Sequence, residues 1–169
     1  MNTASTTTNV RAAGAGDAAA IAAIYNHFVL HSAISFEEEA VSADNMAQRI
    51  DDVQRASLPW LVAERDGALL GYAYATKWRV RHAYRFSVET SVYLAPDAAG
   101  HGTGSILYAA LLEQLRRAGC HLVIGGIALP NPASIALHEK FGFEKVAHFK
   151  EVGFKFGAWR DVGYWQKIL

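Results

Sequence analysis

Gly100-His101-Gly102-Thr103-Gly104 stands between two runs of different period. Before it, Phe86 to Leu94 alternates as a strand does. After it, Ser105 to Ala118 carries apolar residues at helical spacing. Three glycines on alternate positions let the main chain turn tightly and keep side chains out of the way. Successive N–H groups can then point at one spot, at the positive end of the helix dipole, which is a geometry that binds phosphate. A tight turn with no ligand would read the same from these five residues alone. Two phosphate signatures fail on chemistry. The ATP loop needs Gly-Lys-Ser/Thr, and here Gly104 is followed by Ser105 with no lysine. The dinucleotide fingerprint needs Gly-x-Gly-x-x-Gly and an acidic residue at the end of the next strand. The spacing here is Gly-x-Gly-x-Gly, and His121 to Leu129 contains no carboxylate.

Working outward, residues 1–9 read as a flexible tail and residues 10–169 as one domain. Val10-Arg11-Ala12 is a candidate first strand. Asp17 is placed to cap a helix with Ile21, Ile24, Tyr25 and Phe28 on one face. Ser42 is placed to cap a second, with Met46, Ile50 and Val53 on one side. Asp66-Gly67 joins two strands, Trp60–Glu64 and Ala68–Lys77, as a hairpin. Gly119 ends the helix after the glycine loop. An apolar strand follows, then a short helix near Pro132–Phe141, then two strands turning at Gly157-Ala158. The order is α+β, with one strand–loop–helix–strand crossover at its centre.

Composition narrows the function. The 169 residues suit one domain with a full core. Lys plus Arg equals Asp plus Glu at 16 each, so no basic field favours nucleic acid as a partner. No signal peptide or membrane span is legible, and a soluble cytoplasmic protein is the expectation. Cys120 is the single cysteine, which excludes an internal disulfide. Strand alternation would turn it away from His121, so a Cys–His pair is not expected and a buried thiol is. His27 and His31 have a metal-compatible i, i+4 spacing but no evident third ligand, and no metal is expected.

The run Val92-Tyr93-Leu94-Ala95-Pro96-Asp97-Ala98-Ala99-Gly100-His101-Gly102-Thr103-Gly104 resembles the central motif of the GNAT superfamily of acetyl-CoA-dependent N-acetyltransferases. Ala99 departs from it, standing where the family usually has Arg or Gln. Further segments are similar to the phosphinothricin and methionine sulfoximine acetyltransferase branch. They are Ile24-Tyr25-Asn26-His27, Pro59 to Glu64, Val88 to Tyr93, Leu129-Pro130-Asn131-Pro132, His138-Glu139 and Gly157 to Gln166. The resemblance implies a GNAT fold, a mixed and mostly antiparallel sheet flanked by helices and splayed near the glycine loop. It implies acetyl-CoA as co-substrate, a small-molecule amino-acid acceptor, and a homodimer with Trp159 and Trp165 near the contact.

It also implies roles for residues. Val92, Tyr93, Leu94, Gly100, His101, Gly102, Thr103, Gly104 and Ser105 would hold CoA, with Asn131 and Ser134 along the pantetheine arm. Asn131 is equally explained as a helix cap. An α-ammonium must lose a proton before it can attack, and Glu89 matches the branch's proposed base. On pattern alone Glu89 is a half-exposed strand carboxylate sharing a face with Ser91 and Tyr93. His138 matches the position of the acid that protonates the thiolate, although a helix histidine is often only packed or solvated. Arg79 and Arg81, two apart, would face one way in an extended segment and grip a carboxylate and a phosphinyl or sulfonyl group. A solvated charge pair is the plain alternative. Tyr84 and Phe36 would line the acceptor site, and Phe36 could instead be core. Rival readings are an acetyltransferase for a protein N-terminus or polyamine, and a non-catalytic acyl-CoA sensor.

Overall fold

The computed structural model describes residues 7–169. The tail expected at residues 1–9 falls mostly outside that range, and Asn9 already belongs to the first strand. The strands are β1 (Asn9–Ala12), β2 (Trp60–Arg65), β3 (Ala68–Lys77), β4 (Ser87–Leu94), β5 (Leu122–Ala128), β6 (Glu144–Lys155) and β7 (Ala158–Ile168). The helices are α1 (Ala18–His31), α2 (Ala43–Arg55), α3 (Thr103–Arg117) and α4 (Pro132–Lys140). One sheet runs in the order β1-β2-β3-β4-β5-β7-β6. All neighbours are antiparallel except β4 and β5.

Local chemistry explains most boundaries. Asp66 and Gly67 both take positive φ, 52° and 80°, as a two-residue hairpin turn requires. Ser42 Oγ accepts from Asn45 N at 3.1 Å and caps α2. α3 ends as its glycine foretells. Gly119 N–H donates to Arg116 O, and Cys120 N–H reaches back to Leu115 O. Two expectations shift. Asp17 precedes α1 but makes no side-chain cap. Its carboxylate is taken by both terminal nitrogens of Arg11, at 2.8 and 2.9 Å, and by the Gly14 N–H. The last hairpin turns on Phe156 and Gly157, both at positive φ, and Ala158 already pairs with Lys155.

Two apolar clusters sandwich the sheet. On one side α1 and α2 pack Ile21, Val29, Met46 and Ile50 against Trp60, Val62 and Tyr72. On the other, α3 packs Leu107, Tyr108, Leu111 and Leu115 against Leu61, Ala73, Val88 and Val123. Successive strand residues serve opposite clusters, as the two-residue period demands. The sheet weakens in the middle. β4 and β5 pair only at Ser87↔Leu122, Val88↔Val123 and Glu89↔Ile124. Beyond Glu89 they separate, while β4 stays paired to β3 as far as Leu94.

Candidate active site

The parting of β4 and β5 opens a cleft of about 290 Å³. One wall is Thr90 to Pro96, the other Gly126, Ile127 and Ala128 with Asn131, Ser134, Leu137 and His138. Val92, Tyr93, Leu94 and Gly104 line it, joined by Ala99. Along this wall the β4 edge facing β5 lacks a partner strand, so its N–H and C=O groups can pair with a ligand that carries amides. The cleft leads to the glycine loop. Gly100 and Gly102 sit at φ 79° and 82°, which a side chain would strain. Gly102 is the N-cap of α3 with no side chain to satisfy the first-turn N–H groups. Those donors are therefore open to an anion. His101 is exposed, Thr103 is buried, and Ser105 Oγ accepts from Lys140 Nζ at 2.9 Å. Lys140 thus brings a cation to the mouth of the loop, a contribution that no local spacing signalled.

Glu89 stands where the strands part. Ser91 and Tyr93 follow on its face, which is that of α1 and α2. Its carboxylate lies over Gly126: a Cβ on that glycine would be 2.9 Å from Glu89 Oε1 and 3.0 Å from the Tyr164 ring. Two side chains share the space one glycine vacates. Among the described residues no donor satisfies the Glu89 carboxylate. Burial raises its pKa above the ordinary 4.5, and the charge of Arg79 works against that rise. Tyr164, which packs edge-on against Trp78 and Phe149, also has its pKa raised, by burial first and then by Glu89. Tyr164 lies within the recognised closing segment, but only the fold brings it beside Glu89.

His138 is buried, with its ring edge-on to Tyr108 and Phe143. Its Nδ1 lies 2.7 Å from Ser134 O, and since a carbonyl only accepts, Nδ1 carries the proton. Nε2 is then bare, buried and without a hydrogen-bond partner, in the space over Gly125 that a side chain there would fill. Burial lowers the pKa below 6.5, against the opposing Ser134 bond. The resting ring is therefore neutral, with Nε2 an acceptor.

The other expectations divide. Asn131 does cap α4, its Oδ1 accepting from Ser134 N at 3.1 Å, and it also faces the cleft. Arg79 stacks on Trp78, 4.7 Å from the ring centre, within electrostatic reach of Glu89. Its segment is not extended. It bends at Trp78, Val80 and Arg81 and closes in a 3-10 turn, His82–Tyr84, so strand alternation does not pair the two arginines. Arg81 and Tyr84 are exposed. Phe36, partly exposed, lies against Gly153. Cys120 is half-buried and precedes β5, as does His121, so neither lies in a strand. Among the described residues no three His, Cys, Asp or Glu side chains group as a metal site would need. No helix of the described residues is long and apolar enough to cross a membrane.

A cleft between parting parallel strands, an anion cradle at its mouth and an unpaired carboxylate at the point where the strands part are the features an acyl-CoA-dependent transferase calls for. The family model of the acetyltransferase (GNAT) domain matches residues 10–163, and the chain belongs to that family. It is an N-acetyltransferase that uses acetyl-CoA as co-substrate. A phosphinothricin N-acetyltransferase of Alcaligenes faecalis is 45% identical over 161 residues, 95% of this chain and 82% of that protein. An L-methionine sulfoximine/L-methionine sulfone acetyltransferase of Salmonella typhimurium is 40% identical over 160 residues, covering 95% and 94%. The phosphinothricin acetyltransferase of Sinorhizobium meliloti, solved with acetyl-CoA, superposes with a TM-score of 0.93 at 40% identity, covering 96% and 89%.

Proposed function

We propose that this enzyme acetylates the α-amine of a small amino acid or analogue, of the phosphinothricin and methionine sulfoximine kind, in the cytoplasm. The observation that carries this reading is the unpaired, half-buried Glu89 carboxylate beside Arg79, at the point where β4 and β5 part. A cation next to the base suits an acceptor that carries its own anion, and disfavours a polyamine. Glu89 takes a proton from the ammonium, directly or through water. The freed amine attacks the thioester carbon, the C–S bond breaks, and the nitrogen must shed a second proton as sulfur gains one. His138 Nε2, bare at rest, accepts that proton and passes it to sulfur, acting as an acid only after it has acted as a base. Arg79 holds the acceptor's anionic group, with Arg81, Tyr84 and Phe36 around it.

Acetyl-CoA turnover, followed by CoA release, should be seen with phosphinothricin or methionine sulfoximine or with common amino acids assayed beside them. Activity confined to polyamines or peptide N-termini would overturn the acceptor assignment.

The glycine loop and Lys140 are proposed to hold the pyrophosphate without the Arg or Gln that Ala99 replaces. Ala99→Arg should then lower the acetyl-CoA KM by roughly three- to tenfold, an exposed charge-assisted hydrogen bond being worth less than a buried one. An unchanged KM would show that the loop and Lys140 already saturate the site.

The hairpin of β6 and β7 exposes Val146, Phe149, Val152, Phe154, Phe156 and Trp159. Exposed apolar side chains gathered on one hairpin mark a contact surface, and we assign it to a second copy of the chain. Sedimentation at micromolar concentration should give a dimer, and Trp159→Asp a monomer. A parent protein that sediments as a monomer refutes the assignment.

A further inference from the structure

Lys155, at the end of β6, is a lysine with 0% exposure, and the acid–base chemistry makes no use of it. Its Nζ lies 2.7 Å from each of three backbone oxygens, those of Val29, Ser35 and Glu37. An ammonium has three protons, and here three carbonyls take them. Val29 is in the last turns of α1. Ser35 and Glu37 belong to the loop at residues 32–42, which has no regular structure of its own. Within that loop the neighbouring helices supply the other ties. Tyr25 Oη lies 2.8 Å from Ser35 Oγ, Arg49 pairs with Glu37 at 2.6 Å, and Asn26 brackets Val41. Lys155 differs in reaching across from the far edge of the sheet.

A second contact fastens the same two elements. The Phe36 ring occupies the space over Gly153, two residues before Lys155, where any Cβ would collide with it. Gly153 and Lys155 share a face of β6, so a cavity and a cation on one strand take a ring and two carbonyls from one loop, with a third carbonyl from the end of α1. The loop in turn supplies Ile34 to the wall of the cleft, and Phe36 belongs to the acceptor side under the reading proposed above.

We propose that Lys155 is a positioning residue that staples the 32–42 loop to β6 and so fixes the acceptor wall of the active site. A buried charge is costly to desolvate, and a lysine that only filled space would be better replaced by an apolar residue. Three convergent carbonyls give it a directional task instead: they set where residues 34–37 lie relative to the hairpin. The inference rests on the acceptor reading above.

Lys155→Met keeps length and removes all three donors. It should raise the acceptor KM by about tenfold or more while the acetyl-CoA KM stays within about twofold, since displacement of a substrate-positioning element by an ångström is felt strongly. Amide hydrogen exchange should quicken across 32–42 and not in β4 or α3. Gly153→Ala keeps the ammonium but displaces Phe36, and should raise the acceptor KM in the same selective way. It decides the matter if Lys155→Met does not fold. An unchanged acceptor KM overturns the proposal, as does an equal rise in both KM values, the mark of general loosening. If the parent protein acetylates no amino acid, the acceptor reading falls instead. Exchange across 32–42 then tests the staple alone, and unaltered exchange in Lys155→Met overturns it.

Discussion

Glu89→Gln is expected to lower kcat by about 10²–10⁴-fold, the usual contribution of a positioned general base. The acetyl-CoA KM should be nearly unaffected, because the carboxylate sits beyond the anion cradle, over Gly126. Gln preserves shape at the contact with Tyr164 and removes only the proton acceptor. The pH dependence has a definite sign. Glu89 works when deprotonated, and burial raises its pKa above 4.5, so kcat/KM should fall as pH drops through that raised value and level off above it. Arg79→Ala removes the charge that opposes the rise, so the acidic limb should move to higher pH. Full activity in Glu89→Gln across the pH range would end the assignment of the base.

The second large effect is expected at His138. Asn at this position keeps a donor near Ser134 O and loses the Nε2 atom. kcat should fall by about 10²–10⁴-fold if Nε2 carries a proton between nitrogen and sulfur. The two KM values should hold, and thermal denaturation should show a folded variant. The pH profile separates the relay from a resident acid. A resident imidazolium is lost as pH rises through a value below 6.5, so it would cut activity on the alkaline side before neutrality. A ring that starts neutral predicts no alkaline limb, only a loss on the acid side, where protonation of Glu89 and of His138 Nε2 both act. Near-normal kcat in His138→Asn would reduce the histidine to packing between Tyr108 and Phe143.

Features whose cause is local were legible in the chain. Ser42, Asp66-Gly67 and Gly119 do what their side chains or their lack of one dictates within four residues. The glycine loop belongs with them, since positive φ at Gly100 and Gly102 is a property of those residues. Illegible features depend on a distant partner. Asp17 suits a cap, but Arg11, held in β1 beside Glu64, outcompetes the helix for its carboxylate. The last turn lies one residue earlier than Gly157-Ala158 suggests, because Phe156 adopts a positive φ that its side chain does not favour. Alternation put Glu89 on the correct face yet could not show that β5 leaves β4 immediately after it. Lys155 reads as a solvated strand charge until the loop that covers it is in place. Only a resemblance singles out His138 in the chain, whereas the tautomer of its ring follows from one carbonyl a helical turn away.

The early parting of β4 from β5 also acts as a ruler. From Thr90 to Leu94 the open edge is about 13 Å long, at roughly 3.3 Å per residue. One end lies beside the Glu89 carboxylate, the other just before the turn into the glycine loop. Both ends belong to a strand that β3 pairs without a register shift as far as Leu94, so the sheet sets the span. Under the roles proposed for the glycine loop and Glu89, a donor is gauged by the distance between its reactive carbonyl and its phosphates. A thioester on a shorter arm would then satisfy the cradle or the base, not both at once.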